Sequence, residues 1–313
     1  MQVSLIIPVK DESDSLSSLI ASIKKQTYPP AEIIIVDGGS TDNTIEIAEK
    51  SIAGDLRFKI IKVSQASPGK GRNIGAENAG HQWIAFTDAG ILLDIDWLEN
   101  LVGQVRNNPK LDIVYGNFNP VRSNLFEICA TFAYVVPQHE GVIRERFIAS
   151  SLMKKEVWEK VGGFPDLRAA EDLIFMESVD AQNYLTGYAP TANLHWQLGP
   201  NAASTFWKFV LYSKHNALVG RQWDWHYGVA KYYLILSLFI VMIVFHSWWW
   251  LTAVFLWLFL RSARRILKHR HEYGISSLFN PAILIGVALV ILLIDMATFV
   301  GWGQAFMTTE NKS

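Results

Sequence analysis

The sequence predicts an α/β fold: a mostly parallel sheet with helices on both faces, followed by apolar helices at the C-terminal end. Three observations predict it. Short Val- and Ile-rich runs alternate with amphipathic stretches up to about Leu194. The first two of those runs stop on carboxylates, and beyond Val229 charge nearly disappears. Alternating β and α signals argue for an open sheet with both faces covered.

Val3-Ser-Leu-Ile-Ile-Pro-Val9 is the first run and leads to Glu12; Glu32-Ile-Ile-Ile-Val-Asp37 is the second. Runs of this length and composition read as buried parallel strands. Ligands in such sheets bind outside the carboxyl ends of the strands. Glu12 and Asp37 are therefore expected side by side at one crevice, next to Gly38-Gly39. Helical patterns follow each run (Leu16, Leu19, Ile20, Ile23; then Ile45, Ile47, Ala48, Ile52), and Asp42 is placed to cap the second helix. Lys59-Ile-Ile-Lys-Val63, Trp83-Ile-Ala-Phe-Thr87 and Asp112-Ile-Val-Tyr115 are further strands. Asp88 ends the second of these three and joins the same rim. Three strand-end carboxylates repel one another unless a cation or hydrogen-bond donors are present. A ligand joining a base, a ribose and a metal-bound diphosphate meets that need, since Mg²⁺ and Mn²⁺ take oxygen ligands.

Composition bounds the rest. A net charge of -1 gives no electrostatic case for a nucleic-acid partner. Cys129 is the only cysteine, so neither a disulfide framework nor a thiol metal cluster is expected. The first residues lack a basic start and a long apolar run, so the N-terminal domain is expected to stay in the cytosol.

Half of the residues are hydrophobic, and the apolar excess lies at the C-terminal end. Val229–Leu260 holds one charged residue, Lys231, and Leu278–Thr309 holds one, Asp295. Nine of the 12 tryptophans follow residue 195, including Trp248-Trp249-Trp250. Apolar stretches flanked by Trp and Tyr read as membrane helices with interfacial belts. The first stretch would be ~48 Å long as one helix against a hydrocarbon core of ~30 Å, so it reads either as one long tilted helix or as two short ones that break at His246-Ser-Trp248. Arg261, Arg264, Arg265, Lys268 and Arg270 follow it and read as cytosolic. The expectation is a multi-pass cell-membrane protein: a cytosolic domain over residues 1–220 and a membrane domain over 221–313, with crossings near 230–246, 248–260 and 281–301. Asp295 inside the last crossing needs a partner helix, a polar lipid group or a cavity. Lys208, Lys214, His215 and Arg221, interleaved with Trp207, Tyr212, Trp223 and Trp225, read as a membrane-surface segment that either presents a lipid-linked acceptor or merely anchors the chain.

Pro8-Val-Lys-Asp-Glu12, Val36-Asp37-Gly-Gly39-Ser-Thr-Asp42, Gly69-Lys70-Gly-Arg72-Asn73-Ile-Gly75, Thr87-Asp88-Ala-Gly90 and Gly162-Gly-Phe-Pro-Asp166 with Glu171-Asp172 occur in that order. Together, over roughly residues 2–220, they resemble the family 2 glycosyltransferases of GT-A fold, with their Rossmann-like sheet. The resemblance implies that Pro8, Val9 and Glu12 line a nucleoside pocket and that Asp37 bonds the base. Gly39, Lys70, Arg72, Asn73 and Thr87 would lie along the nucleotide-sugar. Asp88 would bind a divalent cation, Mn²⁺ or Mg²⁺, with His195 in Asn193-Leu-His-Trp196 as a further ligand. The family's Asp-x-Asp pair is incomplete here, because position 90 is Gly; Asp94 and Asp96 read as caps of the next helix.

Glu171 and Asp172 open an amphipathic helix, where acids also complement the helix dipole. The resemblance makes Asp172 the base that takes the acceptor's proton, with Glu171 beside it. One base without a second nucleophile implies inversion at the sugar carbon. Gln-x-x-Arg-Trp of the processive synthases is not matched by Leu218-Val-Gly-Arg221-Gln-Trp223. The resulting expectation is an inverting, hexosyltransferase-like enzyme of cell-surface glycan or polysaccharide biosynthesis, moving sugar from a nucleotide-diphosphate donor to a lipid-linked or glycan acceptor. The alternative is a non-catalytic nucleotide-sugar-binding subunit. A sugar-phosphate nucleotidyltransferase would need a Gly-rich basic loop after the first strand, where Lys10-Asp-Glu-Ser13 stands. A transporter would have only three crossings to build with.

Overall fold

The computed structural model describes residues 1–310, so the last three positions of the expected membrane domain lie outside the described residues. The chain forms β1 (Val3–Val9), α1 (Leu16–Lys24), β2 (Glu32–Asp37), α2 (Thr44–Ile52), β3 (Phe58–Lys62), α3 (Pro68–Glu77) and β4 (Trp83–Phe86). It continues through β5 (Ile91–Leu93), α4 (Trp97–Asn107), β6 (Ile113–Pro120), α5 (Leu125–Tyr134), β7 (Ser151–Lys154), α6 (Lys155–Val161), α7 (Glu171–Ala181) and β8 (Thr186–Trp196). Five helices complete it: α8 (Ala202–Leu218), α9 (His226–Phe245), α10 (Trp250–Lys268), α11 (Arg270–Tyr273) and α12 (Pro281–Glu310).

The strands make one eight-stranded sheet in the order β3-β2-β1-β4-β7-β6-β8-β5. From β3 to β4 the pairing is parallel, as the apolar runs predict; β7 runs antiparallel to both β4 and β6, and β5 to β8. The mixed half is the part of the mostly parallel sheet whose strand directions were not expected from sequence. β7 is four residues long and β5 three, too short to show a periodic signal in sequence.

Two compact units emerge: Met1–Asn119 with Glu140–Gln197, and Pro120–His139 with Leu198–Ser313. The first is narrower than residues 1–220, because α5 and α8 pack with the C-terminal helices. In the first unit, Ile6, Ile34, Val36, Ile84 and Phe86 share a core with Ala76 of α3 and with Phe175, Met176 and Val179 of α7. The alternate residues Leu5, Ile7, Ile33 and Ile35 are buried too, so the sheet is covered on its other face as well.

In the second unit, α5, α10 and α12 meet around Cys129, Phe132, Ile266, Val287 and Ile291. α9 and α12 (over Pro281–Thr308) are long and apolar enough to cross a membrane. The helix break does fall at His246–Trp249, between α9 and α10. Ring contacts of Phe239 with Trp250 and Tyr232 with Trp257 make these two helices an antiparallel hairpin. α10 is apolar only to Leu260, and its last two turns carry the basic cluster. Asp295 has found a partner helix: its two oxygens take Arg261 Nη1 and Nη2 at 2.5 and 3.0 Å. The aromatic-basic segment forms α8, whose Val210 carbonyl and Lys214 amide lie against Gly301 of α12.

Candidate active site

The parallel register brings the expected acids to one rim. Val9 pairs with Asp37, so β1 and β2 end together; β4 ends opposite Ile6, and Thr87 N donates to Ile6 O at 3.1 Å, carrying Thr87 and Asp88 on toward the same rim. Pro8 and Val9 form the end of β1. Asp37 is buried, and its carboxylate accepts from the Gly39 and Ser40 amides and the Ser40 hydroxyl. The Gly38-Gly39 turn has no space for side chains, since a Cβ on Gly39 would stand 2.3 Å from Ser64 O. Glu12 anchors the neighbouring loop: its amide donates to Thr44 Oγ1 (2.7 Å) and its Oε2 accepts from Ser15 Oγ (2.6 Å). Ser15 Oγ also accepts from Gly90 N at 3.1 Å, joining Glu12 to the loop after Asp88. Asp42 does not cap α2 but accepts from Thr44 and Ser13, and the Thr44 hydroxyl leads in lowering its pKa to about 2.

The centre of the site is Arg72. Helix α3 lies close on β1 because its facing residues are glycines. A Cβ on Gly75 would meet Ile6 Cγ2 at 2.4 Å, one on Gly71 would meet Pro8 Cβ at 3.1 Å, and one on Gly69 would meet Pro165 O at 2.2 Å. Ser67 caps the helix by accepting from Lys70 N, and the Lys70 side chain is left on the exposed side. This approach carries Arg72 into the interior, 4% exposed. Nη2 contacts both Asp88 oxygens at 2.8 and 2.9 Å, and Nη1 donates to Glu171 Oε1 at 2.8 Å.

Burial opposes the charge on Arg72, but Asp88, Glu171 and Asp172 outweigh it and raise its pKa. Burial also pushes the Glu171 carboxyl above its ordinary value, and Arg72 offsets only part of that rise. Among the described residues, the Nε of Arg72 and the buried hydroxyl of Thr87 have no hydrogen-bond partner.

Asn73 faces away from this centre. Its Oδ1 accepts from Trp158 Nε1 (2.9 Å) and Phe164 N (2.8 Å), and its Nδ2 donates to Phe164 O (2.7 Å). It therefore clasps the Gly-Gly-Phe turn, and Phe164 in turn stacks on Phe175 of α7. Asp172 is half-buried in the first turn of α7, with Oδ1 on its neighbour's amide (Leu173 N, 2.8 Å). Ala170, just before, has φ +69. Sequence reading missed Glu145. Burial first, and the Asp172 charge second, push its carboxyl upward, so a second acid shares the field of the candidate base. No local pattern marks it in sequence.

The metal ligands expected from the resemblance are only partly assembled. His195 pairs with Asp94 (Nε2 to Oδ1, 2.8 Å), and among the described residues no three His, Cys, Asp or Glu side chains stand together so as to hold a metal ion by themselves. Asp96 stands at the cap position of α4 without a side-chain cap bond. Gly90 has φ +78 and open space where a Cβ would stand. Asp88, 31% exposed at its side chain, suits a divalent cation that draws its remaining ligands from diphosphate and water rather than from a protein cage. Three carboxylates around one guanidinium leave an excess of negative charge that such a cation would balance.

Residues 4–144 match the family model "Glycosyl transferase family 2". Over these residues the chain is similar to the family 2 glycosyltransferases. The poly-beta-1,6-N-acetyl-D-glucosamine synthase of Staphylococcus epidermidis is 26% identical over 216 residues, which cover 66% of this chain and 52% of the relative. The chain thus spans about half the length of that relative. Among solved structures, the mannosyltransferase PcManGT of Pyrobaculum calidifontis, in complex with GDP-Man and Mn²⁺, superposes with TM-score 0.57 at 18% identity, covering 95% of this chain and 87% of that one. TarS 1-349 of S. aureus, in complex with UDP-GlcNAc, gives TM-score 0.53 at 15% identity over 96% and 91% of the two chains. Both share the GT-A-type fold of this chain.

Proposed function

We propose that the protein is an inverting glycosyltransferase that moves a sugar from a nucleotide-diphosphate donor to a lipid-linked or glycan acceptor at a membrane, with its family 2 domain on the cytosolic side. The observation that carries this reading is Arg72, which ties Asp88 at the end of β4 to Glu171 at the start of α7. Donor-binding and base-bearing segments thereby share one buried cation. Asp37 and the loop anchored by Glu12 stand at the nucleoside end of the same rim.

The chemistry follows from these positions. The acceptor oxygen attacks the anomeric carbon as the bond from that carbon to the diphosphate oxygen breaks, and Asp172 takes the acceptor's proton. Arg72 supports the phosphate charge through its guanidinium charge beside Asp88 and keeps Glu171 in place. A divalent cation on Asp88 would neutralise the departing diphosphate. The α9–α10 hairpin and α12 supply the membrane anchor in this reading. Gly90 favours one alternative, a domain that binds the nucleotide sugar without turning it over.

Purified protein in lipid, given a panel of UDP- and GDP-sugars with Mn²⁺ and membrane lipid extract, should release nucleoside diphosphate from one donor. Asp172→Asn should lower that release by about 10²–10⁴-fold with nucleotide binding unchanged. No release from any donor, despite tight binding, would establish the alternative; a fully active Asp172→Asn would remove Asp172 as the base.

A further inference from the structure

A second arginine, in the C-terminal unit, has no acidic partner among the described residues. Arg122 follows β6 and precedes α5, in a turn fixed by its neighbours. Asn124 Oδ1 accepts from Glu127 N (2.9 Å), and Glu127 Oε2 accepts from Ser123 N (2.6 Å). The nearest acid in sequence is thereby turned to backbone. The Arg122 guanidinium lies over Tyr273, with Cζ 3.7 Å from the ring centroid, and 5.4 Å from that of Phe132. Its Nε is buried without a hydrogen-bond partner. Glu272, next to Tyr273, is engaged by His269 Nδ1 (3.1 Å) and Gln138 N (3.0 Å). A guanidinium held on an aromatic face, with donors unused and nearby acids occupied, is arranged to receive an anion.

Position and charge identify its class. Tyr273 ends α11, which lies between the basic end of α10 and the start of apolar α12. Arg264, Arg265, Lys268 and Arg270 on this connection are exposed, against the single engaged acid Glu272. Where apolar helices give way to a cluster of cations, the matching anions are lipid headgroup phosphates. Arginine's planar fork suits phosphate oxygens.

We propose that Arg122, seated on Tyr273, binds the phosphate of a membrane lipid. The proposal rests on the membrane reading above and gives it a point of contact for a phosphate-bearing lipid acceptor.

The test uses the full chain in neutral detergent, with three probes: phosphatidic acid, diacylglycerol with the same tails, and inorganic phosphate. Binding is followed by native mass spectrometry and by the thermal midpoint. The wild type should bind phosphatidic acid, and Arg122→Gln should bind it about tenfold more weakly, the loss of one charge-assisted contact. Diacylglycerol should not compete. Tyr273→Leu, which removes the platform but keeps the charge, should fall between the two. Equal binding by wild type and Arg122→Gln would overturn the proposal. Inorganic phosphate binding as tightly as phosphatidic acid would overturn the lipid assignment. UDP and GDP binding by the same samples reports the donor site separately: its absence in the wild type would count against the donor reading and leave the lipid result standing.

Discussion

Replacing Arg72 with Met keeps most of the side chain's length and removes the cation from between Asp88 and Glu171. Arg72 and Glu171 are 5% and 8% exposed at their side chains, so the remaining carboxylate cannot be rescued by water. Breaking a buried pair by removing one partner costs about 3–5 kcal/mol. For a domain of this size that corresponds to a thermal midpoint lower by on the order of 10 °C. Glu171 supplies an internal control. Burial already raises its pKa in the presence of Arg72, and without that cation the rise is larger. The folded state then holds a proton that the unfolded chain releases near ~4.3, so this contribution is present at low pH and lost as pH rises through the folded value. The variant's deficit against wild type should therefore be smaller at about pH 5 than at about pH 8. Differential scanning fluorimetry of the detergent-solubilised protein across that range reads both quantities. A midpoint within 2 °C of wild type at every pH would refute the reasoning.

Two further perturbations probe neighbouring features. Gly75→Ala places a methyl 2.4 Å from Ile6 Cγ2 and should cost about 1–3 kcal/mol in denaturant unfolding, with donor affinity falling as α3 lifts Arg72 away. An unchanged midpoint would mean that α3 has room to shift. Gly90→Asp supplies the second acid in open space at a left-handed φ, so it should tighten Mn²⁺ binding in the presence of UDP or GDP, measured by electron paramagnetic resonance, at a cost of about 1–3 kcal/mol in stability. Unchanged Mn²⁺ affinity would show that position 90 does not face the cation.

The parallel half of the sheet and its acids were legible because buried parallel strands are nearly continuous apolar runs, and because a strand's end fixes where its last side chain stands. Asp37 and Asp88 came from that rule alone. Of the antiparallel half only the start of β6 was legible, at Asp112–Tyr115: β5 and β7 are too short for a period to show. Arg72 was expected near phosphate, but its second contact, with Glu171, joins residues 99 apart and has no local signature. Asn73 shows the limit of carrying a role along a motif. Its motif position suggests the ligand, while its three bonds go to Trp158 and Phe164. His195 likewise found Asp94 in space, an acid that sequence reading assigned to a helix cap.

The links that complete the site all close nearly the same length of chain. Arg72 to Glu171 and Ser67 to Asp166 each span 99 residues, and Asn73 to Phe164 spans 91. Closing one such loop costs roughly 4 kcal/mol of chain entropy by the logarithmic rule, and once it has closed the others add little. Arg72 to Asp88, by contrast, spans only 16. By this entropy alone the contact with Asp88 is the cheaper one to form, and the α7 contacts, which bring Glu171 and Asp172 together, come as one costlier step. A chain caught before that step would hold a nearly finished nucleotide cleft with no base beside it.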